Sequence, residues 1–200
     1  VPHIIGMFDE LRTVNTLNTS GYGGWDENGN GTMKSWRESL LNVANDDLKN
    51  RGHGWNAKLS ASEAGSRIFD LGYKKLTDLI GYCPEIRHVI HSDLLHFNVL
   101  VDNNQITAVI DWGCAKYGDF LYDVAWFTFW SFWYPSMNRI DFKKVALRHY
   151  QKVGLEVPNF EERIRCYELH IGLDAIAYSA FKENWNFIKA VEKQLVSRLS

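Results

Sequence analysis

Residues 91 to 119 constrain this chain more than any other stretch. They read His91-Ser92-Asp93, then Asn98, then Ile110-Asp111-Trp112, then Gly118-Asp119. Val99-Leu100-Val101 and Ile106-Thr107-Ala108-Val109-Ile110 are apolar runs rich in β-branched residues. The polar stretch Asp102-Asn103-Asn104-Gln105 separates them. That pattern predicts two strands around a tight turn. A hairpin there folds Asp111 back toward the loop that carries Asp93 and Asn98. Two carboxylates and an amide gathered in this way suit phosphoryl transfer. One acid takes the proton of an acceptor hydroxyl, and an amide with a second acid hold Mg²⁺ on nucleotide phosphates.

From His91 to Ala125 the chain resembles the aminoglycoside phosphotransferase and eukaryotic-like kinase superfamily. Its catalytic loop runs His-Gly-Asp, four residues, Asn, then Ile-Asp-Trp/Phe and a later Gly-Asp…Asp. Here the last part is Gly118-Asp119-Phe120-Leu121-Tyr122-Asp123. Ser92 replaces the usual Gly and keeps a small residue. The hygromycin B branch of that family is similar over Cys83-Pro84-Glu85-Ile86-Arg87-His88, Ile106 to Trp112, Phe129-Trp130 with Trp133, and Ile171-Gly172-Leu173-Asp174. Ser20-Gly21-Tyr22-Gly23 and Trp36-Arg37 match more weakly.

The resemblance implies a transferase that moves the γ-phosphate of ATP or GTP to a hydroxyl of an aminoglycoside or aminocyclitol antibiotic, and so confers resistance. Asp93 is then the catalytic base. Asn98 and Asp111 bind Mg²⁺ and, through it, the nucleotide. His91, Asp119 and Asp123 support the loop. Trp130 and Trp133, three apart on one helical face, offer indoles for sugar stacking, and Asp174 offers a carboxylate to an ammonium group. Each has a plainer reading: a turn aspartate, strand-end residues, a helix cap, core aromatics, a bond to a neighbouring helix end. Zinc on His91, Asp93 and His96 is a further alternative, without a fourth ligand in sight. Homoserine, choline and fructosamine kinases share the fold, so fold alone does not choose the acceptor. A catalytically silent small-molecule-binding or interaction domain is the other class to weigh.

The expected fold is mostly α with a small β hairpin or sheet, an α+β arrangement like the large lobe of a protein kinase. Residues 1–118 form a core subdomain with the catalytic segment at 88–118, and residues 119–200 form a helical subdomain. A helix is expected from Ile4 toward Leu17, where apolar residues recur at helical spacing. A Gly/Asn-rich loop follows over 18–32. Helices are then expected from Trp36 to Leu48 with Ser35 as cap, and from Ser60 or Ser62 to Leu79. Four more are expected over 120–133, 139–152, 160–180 and 184–198, with Asn159 as a cap. Neither Gly21-Tyr22-Gly23-Gly24 nor Gly29-Asn30-Gly31 fits the G-x-G-x-x-G phosphate loop, so both read as turns. The nucleotide-covering N-terminal lobe is therefore expected to be missing from this chain and to act as its partner.

Composition narrows the remaining classes. With 22 basic and 24 acidic residues the net charge is −2, and no basic stripe marks a nucleic-acid partner. The most apolar stretch, Val124 to Tyr134, is too short to span a bilayer. Cys83, Cys114 and Cys166 are odd in number and unpatterned, and no signal peptide is evident. A monomer in the reducing cytoplasm is the expectation. The sequon Asn30-Gly31-Thr32 is read as chance.

Overall fold

A computed structural model describes residues 2–48, 52–95 and 97–199. It is mostly helical, with two small sheets. In chain order the elements are α1 (Pro2–Arg12), β1 (Tyr22–Trp25), β2 (Gly31–Met33), α2 (Trp36–Leu41), α3 (Trp55–Ala61), α4 (Arg67–Leu79), β3 (His88–Ile90), β4 (Val99–Asp102), β5 (Gln105–Val109), β6 (Lys116–Gly118), α5 (Leu121–Trp130), α6 (Phe142–Lys152), α7 (Phe160–Phe181) and α8 (Trp185–Leu199). β4 and β5 form the expected hairpin, with Val99 opposite Val109 and Asp102 opposite Gln105. Asn103 and Asn104 take positive φ in its turn, a conformation that Asn tolerates better than most residues.

The second sheet was not expected. It is antiparallel, in the order β2-β1-β6-β3. The segment over 18–32, read as loop, supplies two of its strands. Asp26 makes their turn: its carboxylate accepts from the amides of Asn28 at 2.9 Å and Asn30 at 2.8 Å. Gly21, Gly23 and Gly29 all have positive φ, so the glycines are turn residues as read. β6 lies beneath Trp36, and a Cβ at Gly118 would stand 2.6 Å from that indole. Only glycine lets the strand pass there.

Several helix boundaries also differ from expectation. α1 stops at Arg12. The Thr13 hydroxyl then donates to the Glu10 carbonyl at 2.8 Å, and the Asn15 side chain accepts from the Leu17 amide. Such side-chain bonds compete with helix continuation, and Leu17 is left 87% exposed. α2 gives way at Leu41 to a short 3₁₀ turn over Asn42–Ala44, although Ser35 caps it as expected. α3 lies mostly ahead of the expected helix start at Ser60 or Ser62. Its start is capped from a distance: the Asp46 carboxylate accepts from Gly54 N at 2.7 Å and Asn56 N at 3.1 Å. Ser62 closes α3 rather than opening α4. Asn159 precedes α7 but makes no side-chain cap bond.

α5 is apolar on nearly every face, which predicts burial, and α7 is buried along most of its length although it carries charged residues. Leu121, Tyr122, Val124, Ala125, Phe127 and Phe129 of α5 are all buried, as are Ile164, Tyr167, Leu169, Ile171, Leu173 and Ile176 of α7. α7 packs against α3, α4, α5 and α8, so helices from both halves of the chain share one core.

One polar cluster sits inside it. Asp119 is fully buried and takes two bonds from the Arg163 guanidinium, at 2.9 and 2.7 Å. The Tyr167 hydroxyl donates to Asp119 at 2.5 Å and accepts from the Trp36 indole N–H at 3.2 Å. Removing one partner of a buried pair strands the other charge, at about 3–5 kcal/mol. Arg163→Met is therefore expected to lower stability by roughly that amount in urea unfolding at neutral pH. A loss under about 1 kcal/mol would mean that water or another cation already compensates Asp119.

Candidate active site

The catalytic segment is a strand, a tight loop and a hairpin. β3 ends at Ile90, and the chain turns sharply at Ser92, which has φ 56. A non-glycine residue in the left-handed region needs external bonds to hold it, and Asp123 supplies them. Its carboxylate accepts from His91 N at 2.9 Å and Ser92 N at 2.8 Å. The Ser92 hydroxyl donates to the Cys114 carbonyl. The second turn of the site is held differently: Asp111 also has positive φ, at 62.

His91 is fully buried. Its Nε2 lies 2.9 Å from the Ile110 carbonyl, so Nε2–H donates, and its ring packs 4.8 Å from that of Trp112. It joins the loop to the hairpin exit and leaves Nδ1 unpartnered. Asn98 is buried too. Its Nδ2 donates to the Asp93 carbonyl at 2.7 Å, and its own carbonyl accepts from Ile110 N at 3.0 Å. With the amide nitrogen committed to the loop, the side-chain oxygen is left as the hard donor that Mg²⁺ prefers.

Asp93 is half-buried. Burial raises its carboxyl above the ordinary range. The nearby His91 opposes that, the charge of Asp111 adds to it, and the Asn98 amide lowers it again. The Asp111 effect reports two carboxylates within electrostatic reach of one another. Cys114 extends the neighbourhood: enclosure and then the charge of Asp93 raise its thiol, with Asp111 and Asp174 adding and Lys116 opposing. The hairpin thus ties His91 to Ile110 and Asn98 to the Asp93 carbonyl, with the charge of Asp111 felt at Asp93. His96 lies outside the described residues. Among the described residues no three His, Cys, Asp or Glu side chains are grouped to hold a metal.

The other residues divide. Asp123 braces the loop. Asp119 faces away from it, toward Arg163 and Tyr167, and caps α5 by accepting from Leu121 N at 3.1 Å. Asp174 is exposed and lines a cavity of about 370 Å³ together with Trp36, Lys116 and His170. His170 is buried, which holds its pKa well below normal, and it shares a 2.9 Å hydrogen bond with the Tyr122 hydroxyl. Trp130 and Trp133 are half-buried, with ring centroids 5.1 Å apart, and Trp130 stacks on Phe187 of α8. Tyr134, next in sequence, meets the loop residue Phe97 at 6.4 Å.

Three residues were not singled out from the sequence: Trp126, Lys116 and Cys114. Trp126 packs 5.7 Å from Trp130. Its signal was present, since Trp126, Trp130 and Trp133 follow the i, i+4, i+7 pattern of one helical face. Lys116 and Cys114 carried none, because only the fold brings them beside Asp93 and Asp174.

A kinase-like catalytic lobe is the class that this loop, hairpin and helical array define. The chain belongs to the phosphotransferase enzyme family, whose sequence pattern matches residues 36–155. It is 32% identical over 181 residues to the hygromycin-B 4-O-kinase of Escherichia coli, a match covering 89% of this chain and 48% of that protein. The chain therefore spans about half the length of this curated relative. Its fold is similar to crystal structures of aminoglycoside phosphotransferase APH(4)-Ia. A thermostable mutant in ternary complex with AMP-PNP and hygromycin B superimposes with TM-score 0.79 at 27% identity, covering 99% of this chain and 64% of that one. The apo form of a thermostable mutant gives the same TM-score and identity, covering 63% of its chain.

Asp123 yields a pH prediction. Burial raises its pKa from 3.8 to about 6, against the lowering effect of the His91 and Ser92 amides. An acid raised in the folded state favours the fold below its unfolded value, and that contribution is lost as pH climbs through the folded value. Relative to Asp123→Asn, which cannot ionise, the native chain should lose stability between 3.8 and about 6. Parallel urea-unfolding profiles across that window would mean that Asp123 ionises in its ordinary range.

Proposed function

We propose that this chain supplies the acceptor-activating and metal-holding side of an O-phosphotransferase. It acts on an aminoglycoside or aminocyclitol with a nucleoside triphosphate as donor. The reading rests on one observation above the rest: a loop anchored at its start by Asp123, and tied by His91 to the hairpin exit, carries Asp93 bonded to Asn98 and within reach of the Asp111 charge. In this reading Asp93 takes the proton of the acceptor hydroxyl as its oxygen attacks the γ-phosphorus. The bond from that phosphorus to the β–γ bridging oxygen breaks, and the nucleoside diphosphate leaves. A carboxyl raised above its usual range sits closer to neutrality, which suits a general base.

Asn98 and Asp111 are the residues that would hold Mg²⁺. The fit is chemical: one free amide oxygen and one carboxylate, leaving room for phosphates and water. The ion would neutralise charge on the phosphates. A cation there would also ease the repulsion between Asp93 and Asp111. No G-x-G-x-x-G loop occurs in these residues, so the cover for the phosphates comes from outside them in this reading, from an N-terminal nucleotide-binding lobe.

The acceptor reading draws on the hygromycin-B 4-O-kinase and on the hygromycin B complex of APH(4)-Ia. The family resemblance assigns Trp130 and Trp133 to sugar stacking. They stand next to Tyr134, which touches the loop at Phe97. Asp174 meets an ammonium of the acceptor. Residues 1–118 act as the core subdomain and 119–200 as the helical one. We place the protein in the cytoplasm as a monomer. The described cysteines are free, as in a reducing compartment, and among the described residues no helix is long and apolar enough to cross a membrane.

Two experiments test this reading, on the chain with whatever flanking sequence its gene encodes. Phosphoryl transfer from ATP and GTP to a panel of aminoglycosides and small hydroxylated metabolites is measured with Mg²⁺ present. Asp93→Ala is expected to lower kcat at least about 10²-fold with an unchanged circular dichroism spectrum. Near-normal turnover by the folded variant would remove Asp93 from its role. Trp133→Ala is expected to raise KM for the acceptor about tenfold, as loss of one stacking contact predicts, with little change for the nucleotide. An equal change in both KM values would mean that the indole serves packing alone.

A further inference from the structure

Lys116 stands beside the candidate site and has no task in the proposed reaction. Its backbone is fixed in β6, where it pairs with Gly24 of β1 on one side and Ile90 of β3 on the other. The half-buried side chain reaches the cavity of about 370 Å³ that Asp174 also lines. Among the described residues Lys116 makes no ion pair. Its Nζ instead lies 5.3 Å from the centroid of the Tyr122 ring. An aromatic face attracts a cation but leaves its charge uncancelled. Tyr122 is a firm seat, being buried and bonded to His170.

The cavity walls are otherwise apolar or neutral where they matter. Trp36, Trp55 and Met33 line it, and Lys116 and Asp174 are its charged residues. Burial, and next the charge of Lys116, keep His170 neutral. Asp174 likewise has no ion pair among the described residues. One uncancelled cation on β6 therefore shares the cavity with one uncancelled carboxylate on α7. The charge of Lys116 is also felt at Cys114 and Asp123. An ammonium group that enters is drawn by Asp174 and repelled by Lys116. A hydroxyl or ether oxygen carries no charge to repel and can accept a hydrogen bond from the lysine.

We propose that Lys116 is a specificity-determining residue that limits how many ammonium groups the acceptor can carry. The proposal rests on the phosphotransferase reading of the site and deepens it. Asp174 takes one ammonium, and the wall formed by Lys116 faces an oxygen of the same ring. Each further ammonium still gains from the surrounding carboxylates but loses part of that gain to Lys116. A unit charge at a mean separation of roughly 8 Å changes affinity about tenfold, at an effective dielectric between the surface and water values. The favoured acceptor is thus a hydroxyl-rich aminocyclitol of low charge rather than a heavily aminated one.

The test is calorimetric titration of the chain, with whatever flanking sequence its gene encodes, and of its Lys116→Met variant. The ligands are 2-deoxystreptamine, kanamycin and neomycin, which share one aminocyclitol and carry increasing numbers of ammonium groups, with myo-inositol as the neutral control. Lys116→Met is expected to tighten neomycin about tenfold, kanamycin less and 2-deoxystreptamine least, and to leave myo-inositol unchanged. Added salt should shrink these differences, because it screens charge but not packing. Lys116→Arg should keep the native grading. Lys116→Gln, which also removes the charge, replaces the Met variant if circular dichroism shows that one unfolded. An equal factor for all four ligands, or weaker binding of the amines, would overturn the role of Lys116 alone. Binding of none of the four to either form would overturn the acceptor reading beneath it.

Discussion

Two aspartates one helical turn apart hold this molecule together at its most important joint. Asp119 and Asp123 flank the start of α5 and face opposite ways. Asp119 is bound by Arg163 and Tyr167 of α7. Asp123 is bound by the backbone of His91 and Ser92. One fixes α5 to the longest helix of the core, and the other fixes the catalytic loop to α5. The loop therefore inherits its position from the helical core rather than from its own short strands. This matters because Ser92 is held in a left-handed conformation that an isolated loop would leave. It also explains why an acid whose burial is unfavourable remains at Asp123: a neutral apolar residue there would leave two amides without acceptors.

Much of this was legible before any coordinates, and the line between legible and hidden is physical. α5 to α8 lie where four helices were expected after Gly118. The hairpin came from β-branched runs and an Asn-rich turn. The loop residues Asp93, Asn98 and Asp111 came from their order along the chain. Three things were hidden. β1 and β2 have too few apolar side chains to signal strand, and they owe their pairing to β6, some ninety residues away. α3 is capped by Asp46 through the side chain of a distant turn, where a local cap at Gly54 is missing. Asp119 pairs with Arg163, and nothing near either residue announces that pairing.

The neighbourhood of Asp93 has a consistent electrostatic character. Burial and then the charge of Asp93 raise the Cys114 thiol, with Asp111 and Asp174 adding and Lys116 opposing. A field dominated by carboxylates favours cationic occupants: a metal ion near Asp111, and ammonium groups near Asp174. An acceptor carrying several amino groups fits that field, whereas a neutral sugar alcohol would gain nothing from it. The aromatic ladder on α5 adds the complementary requirement of flat apolar faces. Under the proposed function, a ring-bearing polyamine would satisfy both demands, where fold alone leaves the acceptor class open.

The field also bears on what the chain does by itself. Phosphoryl transfer depends on positioning and on charge stabilisation more than on covalent help from the protein. The described residues offer the acids Asp93 and Asp111 and the amide of Asn98 but no G-x-G-x-x-G loop. Carboxylates alone repel a triphosphate, and a single Mg²⁺ only partly cancels that repulsion. Under the proposed function, acceptor and nucleotide would therefore make opposite demands on this surface. A polyamine acceptor would gain from the negative field as it stands. The nucleotide would need cationic and N–H donors from other residues. Removing a metal with a chelator is thus expected to separate the two: nucleotide affinity should collapse, while acceptor affinity, read by tryptophan fluorescence, should hold or rise. A parallel loss of both would mean that the acceptor depends on the bound nucleotide rather than on the carboxylate field of this chain.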